Sequence, residues 1–322
     1  MKSNVIMDVS NLLYSAFHAF SKEEDNILLA LANKSFMDTI NKNYQNNPCD
    51  EVVLAFDGKK NWRKSYTNSP LSLTYKKYKG NRRQNLTDSQ LEKLKRFDEF
   101  VLEFKGFLKD NTGLLVLFND RLEADDLIAG YVMNHAGEKH VIISQDRDYL
   151  QLLRFPDTTI IDPKTGKQLT LADYDHDPDY FMFQKCIRGD ASDNVMSALP
   201  RVRETKIKAA YASEFDRVNL MKTDFEVDYI DSVSGIPKQY KYNTQEVFLE
   251  NERLMDLTKQ PEFIKELIDD SIEVAKRERG TYNMVEFLRY CNRLDFQHII
   301  RDITKYNKLL KGPSVKFRGF TD

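Results

Sequence analysis

Nine carboxylates stand in five packets: Asp8, Asp57, the run Glu123-Ala124-Asp125-Asp126, the pair Asp146 and Asp148, and the pair Asp190 and Asp193. The first, second and fourth packets close apolar, strand-like runs. Val5-Ile6-Met7 leads into Asp8, Val52 to Phe56 into Asp57, and Val141 to Ser144 towards Asp146. In an open α/β sheet the carboxyl ends of neighbouring strands line one crevice, so these acids are expected to meet. Two like charges about 4 Å apart repel by roughly 4 kcal/mol at an effective dielectric near 20. The group must therefore stay partly protonated or be neutralised by cations, and with so many acids the second is expected. An all-oxygen donor set suits Mg²⁺ or Mn²⁺ for chemistry, with Ca²⁺ as an inert occupant. Zinc fits poorly, because His18, His135, His140, His176 and His298 show no ligand spacing and Cys49, Cys186 and Cys291 stand far apart.

Each packet also has an ordinary explanation. Acids in the first turn of a helix cap its amides, which suits Glu123 to Asp126, although three acids in four positions exceed what one cap needs. Asp146 and Asp148 follow a strand where turn acids are common, and Gly189-Asp190-Ala191-Ser192-Asp193-Asn194 is ordinary turn chemistry. The ordered combination is the stronger signal.

Charge is segregated along the chain. Residues 58 to 83 hold nine Lys or Arg and no acid, which leaves −11 on the remainder of a chain whose net charge is −2. In this segment Lys59, Lys60, Trp62, Arg63 and Lys64 are followed by Tyr66, then by Tyr75-Lys76-Lys77-Tyr78-Lys79-Gly80-Asn81-Arg82-Arg83. A charge run is usually a solvated loop, but interleaved aromatics suit unpaired nucleic acid, with basic groups on phosphates and rings on bases. Placed directly after Asp57, the segment is expected to arch over the acidic crevice.

To position these groups, the first half alternates strand-like and helix-like segments, which predicts a mostly parallel, doubly wound α/β sheet with helices on both faces. Strands are expected near Val5 to Val9, Val52 to Phe56, Leu114 to Phe118, His140 to Ile143 and Thr158 to Ile161. Helices are expected at Asn26 to Tyr44, Asp88 to Lys109 and Asp125 to His135. From about Phe181 the pattern turns helical, at Tyr180 to Ile187, Arg203 to Glu214, Thr244 to Thr258, Pro261 to Arg279 and, broken, Asn283 to Leu310. This predicts an α/β domain over 1–180 that carries the acidic packets, with its basic arch at about 58–90, an α-helical domain over 181–312 whose basic residues suit nucleic-acid binding, and a tail at 313–322. The 322 residues, 41% hydrophobic and 11% aromatic, suffice for a folded core. Three scattered cysteines, no signal-peptide pattern and no long apolar run point to a cytoplasmic, membrane-free protein, in the host cytoplasm if viral, and a monomer is expected. Neither a G-x-x-x-x-G-K-[ST] nor a G-x-G-x-x-G phosphate loop is present.

In this order the packets resemble the flap-endonuclease-like 5′-nuclease superfamily, most nearly its bacteriophage ribonuclease H members, over about residues 4 to 200. The resemblance implies a PIN/5′-nuclease-like fold and a two-Mg²⁺ site, with Mn²⁺ as substitute, formed by Asp8, Asp57, Glu123, Asp125, Asp126, Asp146 and Asp148. Asp190 and Asp193 match the final Gly-Asp-x-x-Asp-Asn box. Tyr78 to Arg82 match the basic element at the arch, whose Lys79 and Arg82 would contact the scissile phosphate. It implies 5′-to-3′ exonuclease, flap endonuclease and ribonuclease H activity on RNA:DNA hybrids and duplexes with a 5′ flap or end, during DNA replication. One stretch departs from the pattern. Leu199-Pro200-Arg201-Val202-Arg203-Glu204-Thr205-Lys206 has arginines where many members have the glycines of a helix-turn-helix hairpin. This puts K⁺ binding and close backbone approach in doubt, and leaves Arg201, Arg203, Lys206 and Lys208 to grip phosphates by side chain.

Two other readings are kept: a PIN-type single-stranded ribonuclease, which would also use clustered acids but is normally near half this length, and a non-catalytic nucleic-acid-binding scaffold, which would tolerate their loss. The tail, with Phe317 and Phe320, is either a cap on its own domain or a docking peptide for a sliding clamp or single-strand-binding protein.

Overall fold

The computed structural model describes residues 1–82, 86–230 and 235–312; Arg83 and the tail from 313 lie outside the described residues. In chain order the elements are β1 (Ser3–Asp8), α1 (Val9–Ala19), α2 (Asp25–Asn46), β2 (Glu51–Phe56), α3 (Trp62–Thr67), α4 (Asp88–Asn111), β3 (Leu115–Phe118), α5 (Ala124–Asn134), β4 (Lys139–Ile143), a 3₁₀ helix (Arg147–Arg154) and β5 (Thr158–Ile161). There follow α6 (Pro178–Arg188), α7 (Glu204–Ala212), α8 (Glu214–Met221), β6 (Asp224–Ile230), β7 (Pro237–Asn243), α9 (Thr244–Met255), α10 (Glu262–Arg277), α11 (Met284–Arg293), α12 (Gln297–Arg301) and α13 (Ile303–Leu310).

The chain forms two compact units, and neither is a single stretch. The first comprises residues 1–59, 86–170 and 262–322; the second comprises 60–85 and 171–261. This division differs from a single cut near residue 180.

In the first unit five parallel strands run in the order β3-β2-β1-β4-β5. Their near-continuous apolar sequences fit a sheet covered on both faces. Asn4 to Asp8 pair with Glu51 to Ala55 on one side, and Ser3 to Met7 with Lys139 to Ile143 on the other, so β1 is central and the strand order reverses beside it. A core of Phe36, Phe97, Phe100, Phe104 and Phe296 packs edge-to-face and stacked between the helices. The C-terminal helices belong to this unit. Asn119 donates to Ser271 of α10 at 3.0 Å, the Gly113 amide donates to the Leu310 carbonyl at 2.8 Å, and Tyr306 and Leu310 are buried in the same core.

The second unit packs α6 against α9 and α7 against α8, with a core of Tyr180, Phe183, Ile187, Ile207, Ala210 and Leu220. It is not wholly helical as expected. β6 and β7 form an antiparallel hairpin in register from Asp224 opposite Asn243 to Ile230 opposite Pro237. Its signal was the alternation Asp-Phe-Glu-Val-Asp-Tyr-Ile, a period of two. Among the described residues no helix is long and apolar enough to cross a membrane.

Truncating Phe104, which is fully buried between Phe36 and Phe100, is expected to cost about 3–5 kcal/mol. Urea unfolding of Phe104→Ala would show it as a lower midpoint; an unchanged midpoint would contradict this account of the core.

Candidate active site

Three carboxylates sit at the carboxyl edge of the first unit's sheet because the strands deliver them there. Asp8 ends β1 and at once caps α1, its Oδ1 accepting from the Asn11 amide at 2.9 Å. Its other oxygen, Oδ2, accepts from the hydroxyl of fully buried Tyr149 at 3.0 Å. Burial, then the charge of Asp57, push the Asp8 carboxyl up to about 7; Asp146 adds to this, while the Asn11 amide and the Tyr149 hydroxyl oppose it. Tyr149 itself is held well above its ordinary value by burial and by Asp8, Asp125 and Asp146.

Asp57 follows β2. Its amide donates to Ser10 Oγ at 2.9 Å, and its Oδ1 accepts from the Ala124 amide at 2.8 Å, which ties it to the start of α5. The next residue has to be glycine: a Cβ on Gly58 would lie 2.2 Å from the Asn119 carbonyl oxygen. At α5 the capping explanation holds for Asp126, which is fully buried and accepts from the Glu123 amide through Oδ2 at 3.0 Å. Asp125 Oδ1 accepts from the Asp126 amide at 2.7 Å. Beyond β4, Asp146 takes the Asp148 amide on Oδ1 at 2.8 Å and opens the 3₁₀ helix that carries Tyr149.

Seven of the expected acids therefore belong to the first unit, and Asp8, Asp57, Asp125 and Asp146 share one electrostatic environment there. Several of their oxygens are engaged by backbone amides, and among the described residues no three His, Cys, Asp or Glu side chains are drawn together as a ready ligand cage. The donor chemistry nonetheless fits a hard divalent cation. The set is all oxygen, and the half-neutralised state of buried Asp8 is what an added positive charge would relieve. The sequence reading missed Tyr149 and Ser10, whose only signal was proximity to the Asp146–Asp148 pair and to Asp8.

Asp190 and Asp193 lie in the second unit, and there they meet the basic segment. Asp193 Oδ1 accepts from Arg82 Nη2 at 2.6 Å and Oδ2 from the Tyr78 hydroxyl at 2.8 Å, with Lys79 Nζ 3.8 Å away. Asp190 pairs with Lys185 at 3.2 Å. Burial would raise its pKa, but the Ser192 hydroxyl and Lys185 outweigh burial and hold it below the usual carboxylate range.

With this geometry established, similarity to known proteins becomes informative. The profile of the 5′-3′ exonuclease N-terminal resolvase-like domain matches residues 3–178. The chain belongs to the 5′-3′ exonuclease family. It is thereby an enzyme, a phosphodiester hydrolase. It is 28% identical over 226 residues to a 5′-3′ exonuclease of Buchnera aphidicola subsp. Schizaphis graminum, covering 65% of this chain and 68% of that one. It is also 28% identical over 155 residues to ribonuclease H of Enterobacteria phage T4, covering 47% of each. A crystal structure of the bacteriophage T5 D15 flap endonuclease in complex with DNA and metal ions superposes with a TM-score of 0.59, at 19% identity, over 85% of this chain and all of that one. This last likeness shows the fold.

In this member of the exonuclease family the basic segment is not a solvated loop throughout, which corrects three of the nucleic-acid contacts expected there. Trp62, Arg63 and Tyr78 are buried. The Arg63 guanidinium lies over the Trp62 ring and donates through Nε to the Leu254 carbonyl at 2.7 Å; a charge so placed satisfies its own unit instead of reaching a phosphate. Lys59, Lys60, Lys64 and Arg82 are exposed, and Lys79 is half-buried. Arg201, at the position where the sequence departs from the expected hairpin glycine, has a left-handed backbone, φ 59°. With Arg203, Thr205, Lys206 and Thr223 it lines a cavity of about 580 Å³. Lys208 is instead paired with Asp175 at 2.5 Å.

The raised Asp8 value has a consequence for stability. The unfolded chain ionises Asp8 near 4 and the folded chain only near 7, so stability falls as pH rises through that window. Asp8→Asn keeps a capping oxygen and should match the parent near pH 4. At pH 8 in EDTA it should be more stable by about 1 to 3 kcal/mol. A variant that melts lower than the parent at both pH values would overturn this assignment.

Proposed function

We propose that this protein is a metal-dependent 5′-to-3′ exonuclease and flap endonuclease that removes RNA primers and short DNA from duplex 5′ ends during DNA replication. The observation that carries the reading is buried Asp8, its carboxyl pushed up to about 7 at the end of a central strand beside Asp57 and Asp146. A carboxylate so buried, and repelled by its neighbours, is poised to exchange a proton for a metal ion. The related phage T4 protein is a ribonuclease H and the T5 protein a flap endonuclease crystallised with DNA and metal ions, which supports both substrate classes.

Asp8, Asp57, Asp125, Asp146 and Asp148 would hold the metal, taken to be two Mg²⁺ with Mn²⁺ as substitute, and Glu123, Asp126, Asp190 and Asp193 would bind it directly or through water. When bound, such ions supply an activated water and charge stabilisation at the leaving oxygen. The chain's own residues orient and bind. Tyr149 and the Asn11 amide fix the two oxygens of Asp8, and the Ser10 hydroxyl and Ala124 amide fix Asp57. Lys79 and Arg82 offset the charge that gathers on the phosphate as it is attacked. Arg201, Arg203 and Lys206, with exposed Lys59, Lys60 and Lys64, hold flanking phosphates.

Asp146→Asn should lower cleavage of a 5′-labelled RNA:DNA hybrid or a DNA flap by about 10²-fold or more, while binding measured by fluorescence anisotropy persists. Full turnover by the variant would remove Asp146 from the metal set. Products from hybrid and flap should appear with Mg²⁺ and vanish with EDTA. Cutting confined to isolated single-stranded RNA would favour the PIN-type reading, and binding with no cleavage of any substrate would favour a scaffold.

A further inference from the structure

The turn Gly189 to Asn194 is built as a template, and what it holds is the basic segment of its own unit. Its shape is fixed from within. Asp190 Oδ1 accepts from the Ser192 amide at 2.8 Å, the Ser192 hydroxyl at 2.6 Å and the Asp193 amide at 3.2 Å, and Asp190 and Val195 exchange both backbone bonds. Gly189 adopts φ 68° where any Cβ would lie 2.6 Å from the Met196 carbonyl carbon, and Asn194 is also left-handed at φ 57°. Against this turn lies Lys77 to Arg82. The Lys79 amide donates to the Asp193 carbonyl at 2.8 Å, Asn194 Nδ2 to the Lys77 carbonyl at 2.9 Å, and Asn81 Nδ2 to the Ala191 carbonyl at 3.4 Å. Lys79 is itself left-handed, φ 53°, a conformation that a non-glycine residue keeps only where its surroundings enforce it. The Asp193 carboxylate completes the grip on Tyr78, Lys79 and Arg82.

We propose that Asp193 is a positioning residue that sets Lys79 and Arg82 for phosphate, acting through this docked segment in addition to any part it takes in metal binding. The inference rests on the proposed role of Lys79 and Arg82 as phosphate contacts. A group that acted only as a metal ligand would matter only with metal present, and its removal in EDTA would leave binding unchanged or strengthen it, because a negative charge near phosphate is lost.

The test is binding of a fluorescent 5′-flap DNA in EDTA by the full-length protein and by Asp193→Asn, Arg82→Ala and the double variant. Asp193→Asn should bind about fivefold more weakly or worse, and should add little once Arg82 is gone. Tyr78→Phe, which removes one bond to Asp193 and little volume, should shift binding in the same direction by a smaller factor; it carries the test if Asp193→Asn fails to fold. Binding that is unchanged or tighter in EDTA for Asp193→Asn, or for Tyr78→Phe in its place, would overturn the inference, as would additivity with Arg82→Ala. Wild-type binding and cleavage by both Arg82→Ala and Lys79→Ala would instead sink the phosphate role on which it rests.

Discussion

The cost of charging a buried carboxylate, increased by repulsion from its acidic neighbours at the edge of a parallel sheet, is the constraint around which the first unit is arranged. Asp8 is at its centre because β1 is flanked by β2 and β4, so any acid that ends β1 must face whatever ends its neighbours. The surrounding groups do not abolish this repulsion. The Asn11 amide in the first turn of α1 and the Tyr149 phenol fix the direction of the carboxylate, while burial keeps its charge costly. A side chain whose charge destabilises the fold yet is held by two separate elements is the usual mark of a site where stability yields to chemistry.

The second unit answers like charge with opposite charge. Its two acids lie on a turn that is rigid in itself, and each is paired with a cation. The two parts of the expected nine-acid set therefore live under different electrostatics, with a raised pKa at Asp8 and a lowered one at Asp190. Residue type alone does not separate these cases; the partners do.

The strands and the acids that end them were legible because apolar runs closed by a single acid leave few alternatives, and their order fixed the sheet's class. The positions of α2, α4 and α5 were legible from helical periodicity. Three things were not. Interleaved bases and rings looked alike along residues 59 to 83, and only tertiary packing tells that Trp62, Arg63 and Tyr78 turn inwards while Lys60 and Lys64 turn out. The β6–β7 ribbon was hidden by its charged residues, although Phe225, Val227 and Tyr229 alternate along β6, the first two opposite Tyr242 and Tyr240. Arg201 hid a conformation: a non-glycine side chain sits on a left-handed backbone, at a cost of roughly 1 kcal/mol.

The discontinuity of the two units bears on how such a chain can be divided or inherited. The polypeptide passes from one unit to the other at four places, near residues 59, 85, 170 and 261. A gene fragment ending near residue 180 would encode all five strands of one sheet without α10 to α13, which complete its core, together with an orphaned strap of the other unit. Neither unit can be transplanted by a single recombination joint. A useful exchange of parts between relatives must move residues 60–85 and 171–261 together, since the strap and the turn that holds it form one folding element written in two distant stretches of sequence.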